Sequence, residues 1–368
     1  MVNALIKDII PQFQFKGEYV SAKELSSGNV NTTYKLAYQQ EDGNTIYYVM
    51  QRINNVAFQN PAGLMRNVQL VVKHIAKAME KEKQDCHRRV LQFVPTKNGD
   101  SLCMDADGAY WRAYIFVDGA TAYDSIENPL HFYEAGRGFG AFQRYLYDFD
   151  AKQLMDTIPD FHHTTKRFYA FVAAVAADKA GRVKELEKEI DFFFNRRKMM
   201  NEIIALTESG ALPIRVTHND TKLNNVLIDN KTEKALCVID LDTVMPGSVL
   251  YDYGDAVRFG ACTTVEDEPD IEKIDLDMHL FRLFTDGFVS EIASTLTENE
   301  IRYLPLGIKV ITCELAMRFL TDYINGDVYF KTHYPGHNLV RARAQMRLLE
   351  VVEERYPEMQ AYVNTFLK

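Results

Sequence analysis

The chain has 368 residues, 47% of them hydrophobic and 25% charged, with a formal net charge of −9. That length exceeds one comfortable core, so two domains are expected. The acidic balance speaks against nucleic acid or an anionic membrane surface as the main partner.

Cys86, Cys103, Cys237, Cys262 and Cys313 are widely spaced, odd in number and without a Cys-x-x-Cys pair. This pattern excludes a disulfide scaffold or zinc site and points to reduced thiols in the cytoplasm. Cys237 sits in an apolar run and reads as core. The N-terminus lacks a charged-then-apolar signal pattern. No window approaches 18 uninterrupted apolar residues, so no membrane span is expected.

In chain order, Leu5, Ile6, Ile9 and Ile10 share one face of a short helix that Pro11 should end. Tyr19–Ser26, Thr32–Tyr38 and Thr45–Ile53 read as strands, with Asp42-Gly43 as a hairpin signal between the last two. Asn60-Pro61 opens a helix carrying Leu64, Val68, Val71, Val72, Ile75 and Met79 at helical spacing. Val90–Pro95, Ser101–Asp105 and Tyr110–Val117 are further strands. Residues 118–121 read as a linker. Beyond it the periodicity is helical at 129–147, 164–181, 183–208, 248–260, 275–294, 297–324 and 336–355. Three short apolar runs between 212 and 239 interrupt this helical half. The expected fold class is α+β: an antiparallel β-rich lobe over residues 1–117 and a mainly helical lobe over 118–368 that carries the chemistry.

Each of the three runs presents a polar residue at one end. Asp220 follows Leu212–Val216, Asn225 precedes Val226–Ile228, and Asp240 closes Ala235–Ile239. An Asp, an Asn and an Asp in that order suit phosphoryl transfer: one carboxylate accepts the proton of an attacking hydroxyl, and the other two side chains offer oxygens to Mg²⁺. The bland alternative is three turn residues at strand ends. Asp242 is either a further ligand or a residue that fixes the loop. His218 reads as holding the loop by hydrogen bonding. Lys222 could reach a phosphate as charge develops, or could simply face solvent. Ser27, Gly28, Asn29, Asn31 and Thr32 lie between two strands, where small and hydroxyl residues let backbone N–H groups approach phosphates. A plain hairpin turn explains that stretch equally well.

These residues carry a resemblance. Asn31-Thr-Thr-Tyr, Leu64-Met-Arg-Asn-Val, Thr217-His-Asn-Asp-Thr-Lys-Leu-Asn-Asn, Ile239-Asp-Leu-Asp-Thr-Val-Met-Pro-Gly-Ser, Met317-Arg-Phe-Leu and Tyr334-Pro-Gly-His-Asn-Leu-Val-Arg span nearly the whole chain. Together they make the chain resemble the aminoglycoside phosphotransferase and choline kinase superfamily, whose fold is protein-kinase-like, and within it the bacterial N-acetylhexosamine 1-kinases. The resemblance implies ATP- and Mg²⁺-dependent phosphorylation of the anomeric hydroxyl of N-acetylglucosamine or N-acetylgalactosamine. It implies Asp220 as base and Asn225 and Asp240 as metal ligands. It places a hinge at residues 116–118, so Phe116 and Asp118 are expected at the adenine, and it makes Asp252 a brace beneath the loop. It also raises Arg318 and Tyr329 as sugar contacts. Arg318 lies within the apolar run Leu315–Leu320, so its charge should have a partner.

Two departures stand out. Gln51 occupies the third-strand place where kinases carry a Lys, and Gln69 the helix place where they carry a Glu. Gln51 could still hydrogen-bond a phosphate but brings no charge, and strand alternation points Arg52 to the opposite face. The leading expectation is therefore a cytoplasmic sugar 1-kinase acting on a small molecule, as a monomer or homodimer. The same reaction on another sugar, an amino alcohol or an aminoglycoside is the alternative. A nucleotide-binding pseudokinase is a third reading, which the retained Asp220, Asn225 and Asp240 oppose.

Overall fold

The structure is a computed structural model that describes residues 4–25 and 30–367. Its elements run as follows. Helix α1 (Ala4–Ile9) buries Ile6 and Ile9 and passes into a 3₁₀ turn at Ile10–Gln12, where Pro11 falls. Strands β1 (Glu18–Leu25), β2 (Thr32–Gln39) and β3 (Thr45–Arg52) form an antiparallel meander. At the β2–β3 turn Gly43 adopts a positive φ and Asp42 accepts the Asn44 N–H. Helix α2 (Pro61–Lys81) starts with Pro at its first position under an Asn60 cap and buries Leu64, Val68, Val71, Ile75 and Met79. Strands β4 (Phe93–Val94), β5 (Cys103–Met104) and β6 (Tyr110–Ile115) complete a six-stranded sheet, ordered β1-β2-β3-β6-β4 with β5 also on β6. Its core gathers Phe13, Leu36, Tyr48, Met50, Trp111 and Ala113.

The expected linker is itself a strand, β7 (Ala120–Thr121). Helices α3 (Pro129–Tyr145), α4 (Thr164–Ala177), α5 (Glu187–Met200) and α6 (Glu202–Glu208) follow. The single helix expected over 183–208 is instead a 3₁₀ turn and two helices broken at Asn201, whose N–H divides between the Arg197 and Lys198 carbonyls. Then come β8 (Arg215–Thr217), β9 (Val226–Asp229), β10 (Ala235–Val238) and β11 (Met245–Gly247). Strands β10, β9 and β7 form a three-stranded sheet in that order, with Ala120 opposite Asp229. Cys237 is buried on β10, and burial pushes its thiol up to about 12.

Helices α7 (Val249–Gly260), α8 (Met278–Ile292), α9 (Glu298–Asn325) and α10 (His337–Asn364) close the chain. A capping box of Thr297 and Glu300 starts α9, and Gly326 in the left-handed region ends it. The sequence pattern for α10 stops at 355, yet the helix runs through Pro357 to Asn364. Met359 and Val363 beyond the proline are buried, and that packing outweighs the lost backbone bond.

The chain groups into two compact units. The first is Met1–Ala122 with Lys152–Pro159 and Leu227–Met245, and the second is Tyr123–Ala151, Asp160–Val226 and Pro246–Lys368. The β9–β10 hairpin therefore belongs with the β-rich unit, not with the helical lobe as the sequence boundary at 118 had it. Within the helical unit, one core joins Phe168, Phe171 and Phe193 to Met317, Phe319 and Leu349. Helices α7 and α9 touch at paired glycines. A Cβ on Gly254 would stand 2.4 Å from the Gly307 backbone. This close crossing sets the spacing of two helices that carry site residues.

Candidate active site

In the second unit, the loop after β8 is held from beneath by one carboxylate. Asp252, buried on α7, accepts the N–H of His218 and of Asn219, each at 2.8 Å, and the Gln143 amide at 2.7 Å. Thr221 Oγ donates back to the Asp252 carbonyl at 2.6 Å. Burial raises the Asp252 carboxyl above the usual carboxylate range, while His218 and these donors pull it down. Asn219 adopts the left-handed region, which Asn tolerates. His218 is fully buried with its ring against the edges of Phe139 and Phe142, and its Nδ1 accepts the Asp220 N–H at 3.3 Å.

This brace presents Asp220, whose two oxygens face different partners. Lys222 Nζ lies 3.0 Å from Oδ1, and the Asn225 amide donates to Oδ2 at 3.0 Å and to the Asp220 carbonyl at 2.7 Å. With its nitrogen so directed, Asn225 keeps Oδ1 without a hydrogen bond among the described residues. Burial works against the Lys222 charge, but Asp220, Asp255 and Glu266 outweigh it and hold the ammonium up. Asp255, one turn beyond Asp252, accepts the Thr221 N–H at 3.1 Å and pairs with Arg258 at 2.9 Å. Burial would raise its carboxyl, yet Arg258, Lys222 and His162 keep it low. A second charged cluster is centred on α9. The buried Glu314 accepts from His162 Nδ1 at 3.2 Å, and Arg318 lies 3.9 Å away. The Arg318 guanidinium also lies over the rings of Phe161, Phe330 and Tyr329, at 5.4, 5.5 and 5.9 Å. Tyr329 is 64% exposed and is fixed through its N–H to Asp322. The predicted pair Arg318 and Tyr329 is thus brought together, and Glu314 is the partner that the Arg318 charge required. Two buried polar atoms of this cluster, His162 Nε2 and Tyr251 Oη, have no hydrogen-bond partner among the described residues, and their rings are 5.0 Å apart.

In the first unit, Asp240 follows β10 in the left-handed region (φ 58°) and is exposed. Asp242 is buried, 2.5 Å from Arg112 Nη1, and accepts the Asn31 amide at 2.7 Å. Gln51 donates to Thr33 at 3.2 Å and accepts from Arg112 Nε at 2.9 Å, while Gln69 is exposed. Arg52 points to the opposite face and meets Asp105 at 3.1 Å. Asn31 uses both ends of its amide, since its Oδ1 also accepts the Asn54 N–H at 3.0 Å. Thr32 opens β2 and is exposed. Ser27, Gly28 and Asn29 lie outside the described residues. At the expected hinge, the Phe116 N–H continues the β3 ladder to Tyr47 at 2.9 Å, and the Asp118 carbonyl accepts Arg88 at 2.6 Å. Phe116 C=O and Asp118 N–H carry no hydrogen bond among the described residues. His87, Arg88, Gln92 and residues 115–118 line a cavity of about 140 Å³ there.

Arg112, Asp255, His162, Glu314 and Tyr251 were not singled out from the sequence. A lone Arg inside the apolar strand Tyr110–Val117, and Glu314 four residues before Arg318, were the available signals.

An antiparallel sheet with one long helix, followed by a helical unit whose Asp-bearing loop is braced by a buried carboxylate, is the protein-kinase-like fold. Solved structures agree. The chain is similar to amicoumacin kinase hAmiN in complex with AMP-PNP, Ca²⁺ and Ami, at 11% identity and TM-score 0.64 over 96% of this chain and 94% of that one. It is similar to a microcompartment-associated aminopropanol kinase, at 15% and 0.60 over 96% and 98%. It is also similar to an aminoglycoside phosphotransferase from Alicyclobacillus acidocaldarius, at 12% and 0.56 over 100% and 96%. Residues 21–277 match the phosphotransferase enzyme family, and the chain belongs to that family.

Proposed function

We propose that the protein is an ATP- and Mg²⁺-dependent kinase that converts N-acetylglucosamine or N-acetylgalactosamine to the sugar 1-phosphate. Asp220 accepts the proton of the anomeric hydroxyl as that oxygen bonds to the γ-phosphorus, and the bond to the bridging oxygen of ADP breaks. Lys222, held protonated beside Asp220, stands ready to meet charge on the transferred group. The donor chemistry fits a hard divalent cation. Asn225 offers an amide oxygen without a hydrogen bond among the described residues, and Asp240 an exposed carboxylate. Mg²⁺ held by oxygens of these two kinds would supply charge neutralisation on the phosphates. Phe116 C=O and Asp118 N–H are the hinge groups available to adenine.

The observation that carries the acceptor class is the unpartnered pair His162 Nε2 and Tyr251 Oη beside Arg318 and Glu314. Buried polar atoms without protein partners call for a polar neighbour, which a water, an ion or a ligand can supply. Around them stand Arg167, Arg318 and His162 with the carboxylate Glu314, whose charge those three groups stabilise against burial, while Asp255 also feels His162 and Asp160 also feels Arg167. The guanidiniums of Arg167 and Arg318 disfavour an added ammonium beside them and can donate to hydroxyl and acetamido oxygens. Turnover of an Asp220→Asn variant should fall about 10²–10⁴-fold while AMP-PNP binding persists. Full activity in that variant removes Asp220 from its role. The similarity to an aminopropanol kinase and to an aminoglycoside phosphotransferase favours a second reading, in which the same residues phosphorylate an amino alcohol or aminoglycoside, and an acceptor panel separates the two.

A further inference from the structure

Kinases of this fold ordinarily place a third-strand Lys against a Glu on the following helix. Here neither position is charged, and Gln51 and Gln69 do not meet: Gln69 is exposed and Gln51 bonds Thr33 and Arg112. The charge enters from the next strand instead. Arg112 on β6 lies opposite Gln51 on β3 in the sheet register. Its side chain is almost wholly enclosed, 4% exposed, with Nε on Gln51 and Nη1 on Asp242. Asn31 holds the second oxygen of Asp242. Helix α2 contributes too, but by an amide: Asn67 donates to the Val244 carbonyl at 3.0 Å and is anchored by Met155 on both sides of its own amide. The short loop 240–244 is therefore gripped at Asp242 from two directions and at Val244 from a third.

This grip lies next to strained backbone. Asp240 sits at φ 58°, a region that a non-glycine residue keeps only where its surroundings over-determine it. Arg112 is itself too enclosed to meet a phosphate. We propose that Arg112 replaces the missing lysine as a positioning residue. It acts through Asp242 to hold Asp240 in the conformation that receives the divalent cation, and it makes no contact with nucleotide. The inference rests on the reading of Asp240 as a metal ligand given above.

A buried ion pair serving stability alone predicts something different. Such a pair would lower Tm when Arg112 is removed, because Asp242 is left buried and unpaired, but would leave metal coupling untouched. The test is calorimetric titration of AMP-PNP with and without Mg²⁺, on the parent, Arg112→Met, Arg112→Lys and Asn31→Ala, with thermal unfolding recorded for each. In the parent, Mg²⁺ should tighten AMP-PNP binding. If it does not, the metal reading fails before the inference is tested. In Arg112→Met the tightening should shrink by about tenfold or more, within the usual range of site-to-site coupling, while Mg²⁺-free affinity stays within about threefold. Arg112→Lys should recover part of it, since Lys restores charge but not the fork. Asn31→Ala removes one bond to Asp242 without stripping a buried charge, so it reports the same loss, smaller, should Arg112→Met not fold. Parent-like Mg²⁺ tightening in folded Arg112→Met, or in Asn31→Ala, overturns the inference. Equal loss of affinity with and without Mg²⁺ overturns it as well, because that marks a direct nucleotide contact.

Discussion

Replacing Asp252 by Asn removes a charge and one acceptor oxygen while keeping the volume. In the parent, Oδ2 accepts from His218 N–H and the Gln143 amide, and Oδ1 from Asn219 N–H. An Asn can keep its oxygen on the Oδ2 side and retain two bonds. Its NH₂ then faces the Asn219 N–H, donor to donor, and leaves a buried donor unmatched at about 1–3 kcal/mol. Bonds to a carboxylate are also stronger than bonds to an amide by roughly a factor of two. Against this, the ionised carboxylate no longer has to be buried, which offsets part of the loss. The net expectation is destabilisation of about 1–3 kcal/mol, or roughly 2–4 °C in Tm for a chain of this size. The functional effect should be larger. His218 and Asn219 immediately precede Asp220, and misplacement of a catalytic group by about 1 Å can cost about 10²-fold in rate. Steady-state kinetics should show kcat down by about that factor with KM for ATP nearly unchanged. A kcat within about twofold of the parent in folded Asp252→Asn would refute the brace.

Gly254→Ala should destabilise the helical unit by about 1–3 kcal/mol or more, because its methyl would meet backbone, not a movable side chain; an unchanged melting curve counts against the α7–α9 crossing. Asp229 is held near 2, from an ordinary 3.8, by the Thr232 N–H first, then Arg88 and the Lys231 N–H. A depressed carboxylate contributes stability that is fully present above the unfolded value and is lost as pH falls through the folded one. The Tm difference between parent and Asp229→Asn should therefore be steady from pH 7 to 4 and close between pH 4 and 2. A difference constant over the whole range contradicts it.

Much of the fold was legible. The apolar periods of α2, α7, α8 and α9 match their buried faces, and Asp42-Gly43 sits at a turn that needs a positive φ. Less visible were features set by long-range pairing. Strand β7 is two residues of apparent linker, and it becomes a strand only because β9, more than a hundred residues later, lies beside it. That pairing draws the β9–β10 hairpin, with Asp240 and Asp242, into the β-rich unit. At the site, the Asp220 to Asn225 spacing could be read directly, since both lie on one short loop. The identity of the missing cation could not, because Arg112 meets Asp242 only once the loop after β10 is packed, across a sequence separation of 130 residues. Similarly, Glu314 becomes a partner of His162 only once α9 is packed.

The account turns on the acceptor. Purified protein with ATP and Mg²⁺ should be offered N-acetylglucosamine, N-acetylgalactosamine, ethanolamine and kanamycin in parallel, with ADP release and phosphorylated product both measured. Sugar 1-phosphate formation, with kcat/KM about 10²-fold or more above either amine, is the predicted result. Preferential phosphorylation of an amine, or ATP binding without turnover on any acceptor, would contradict it.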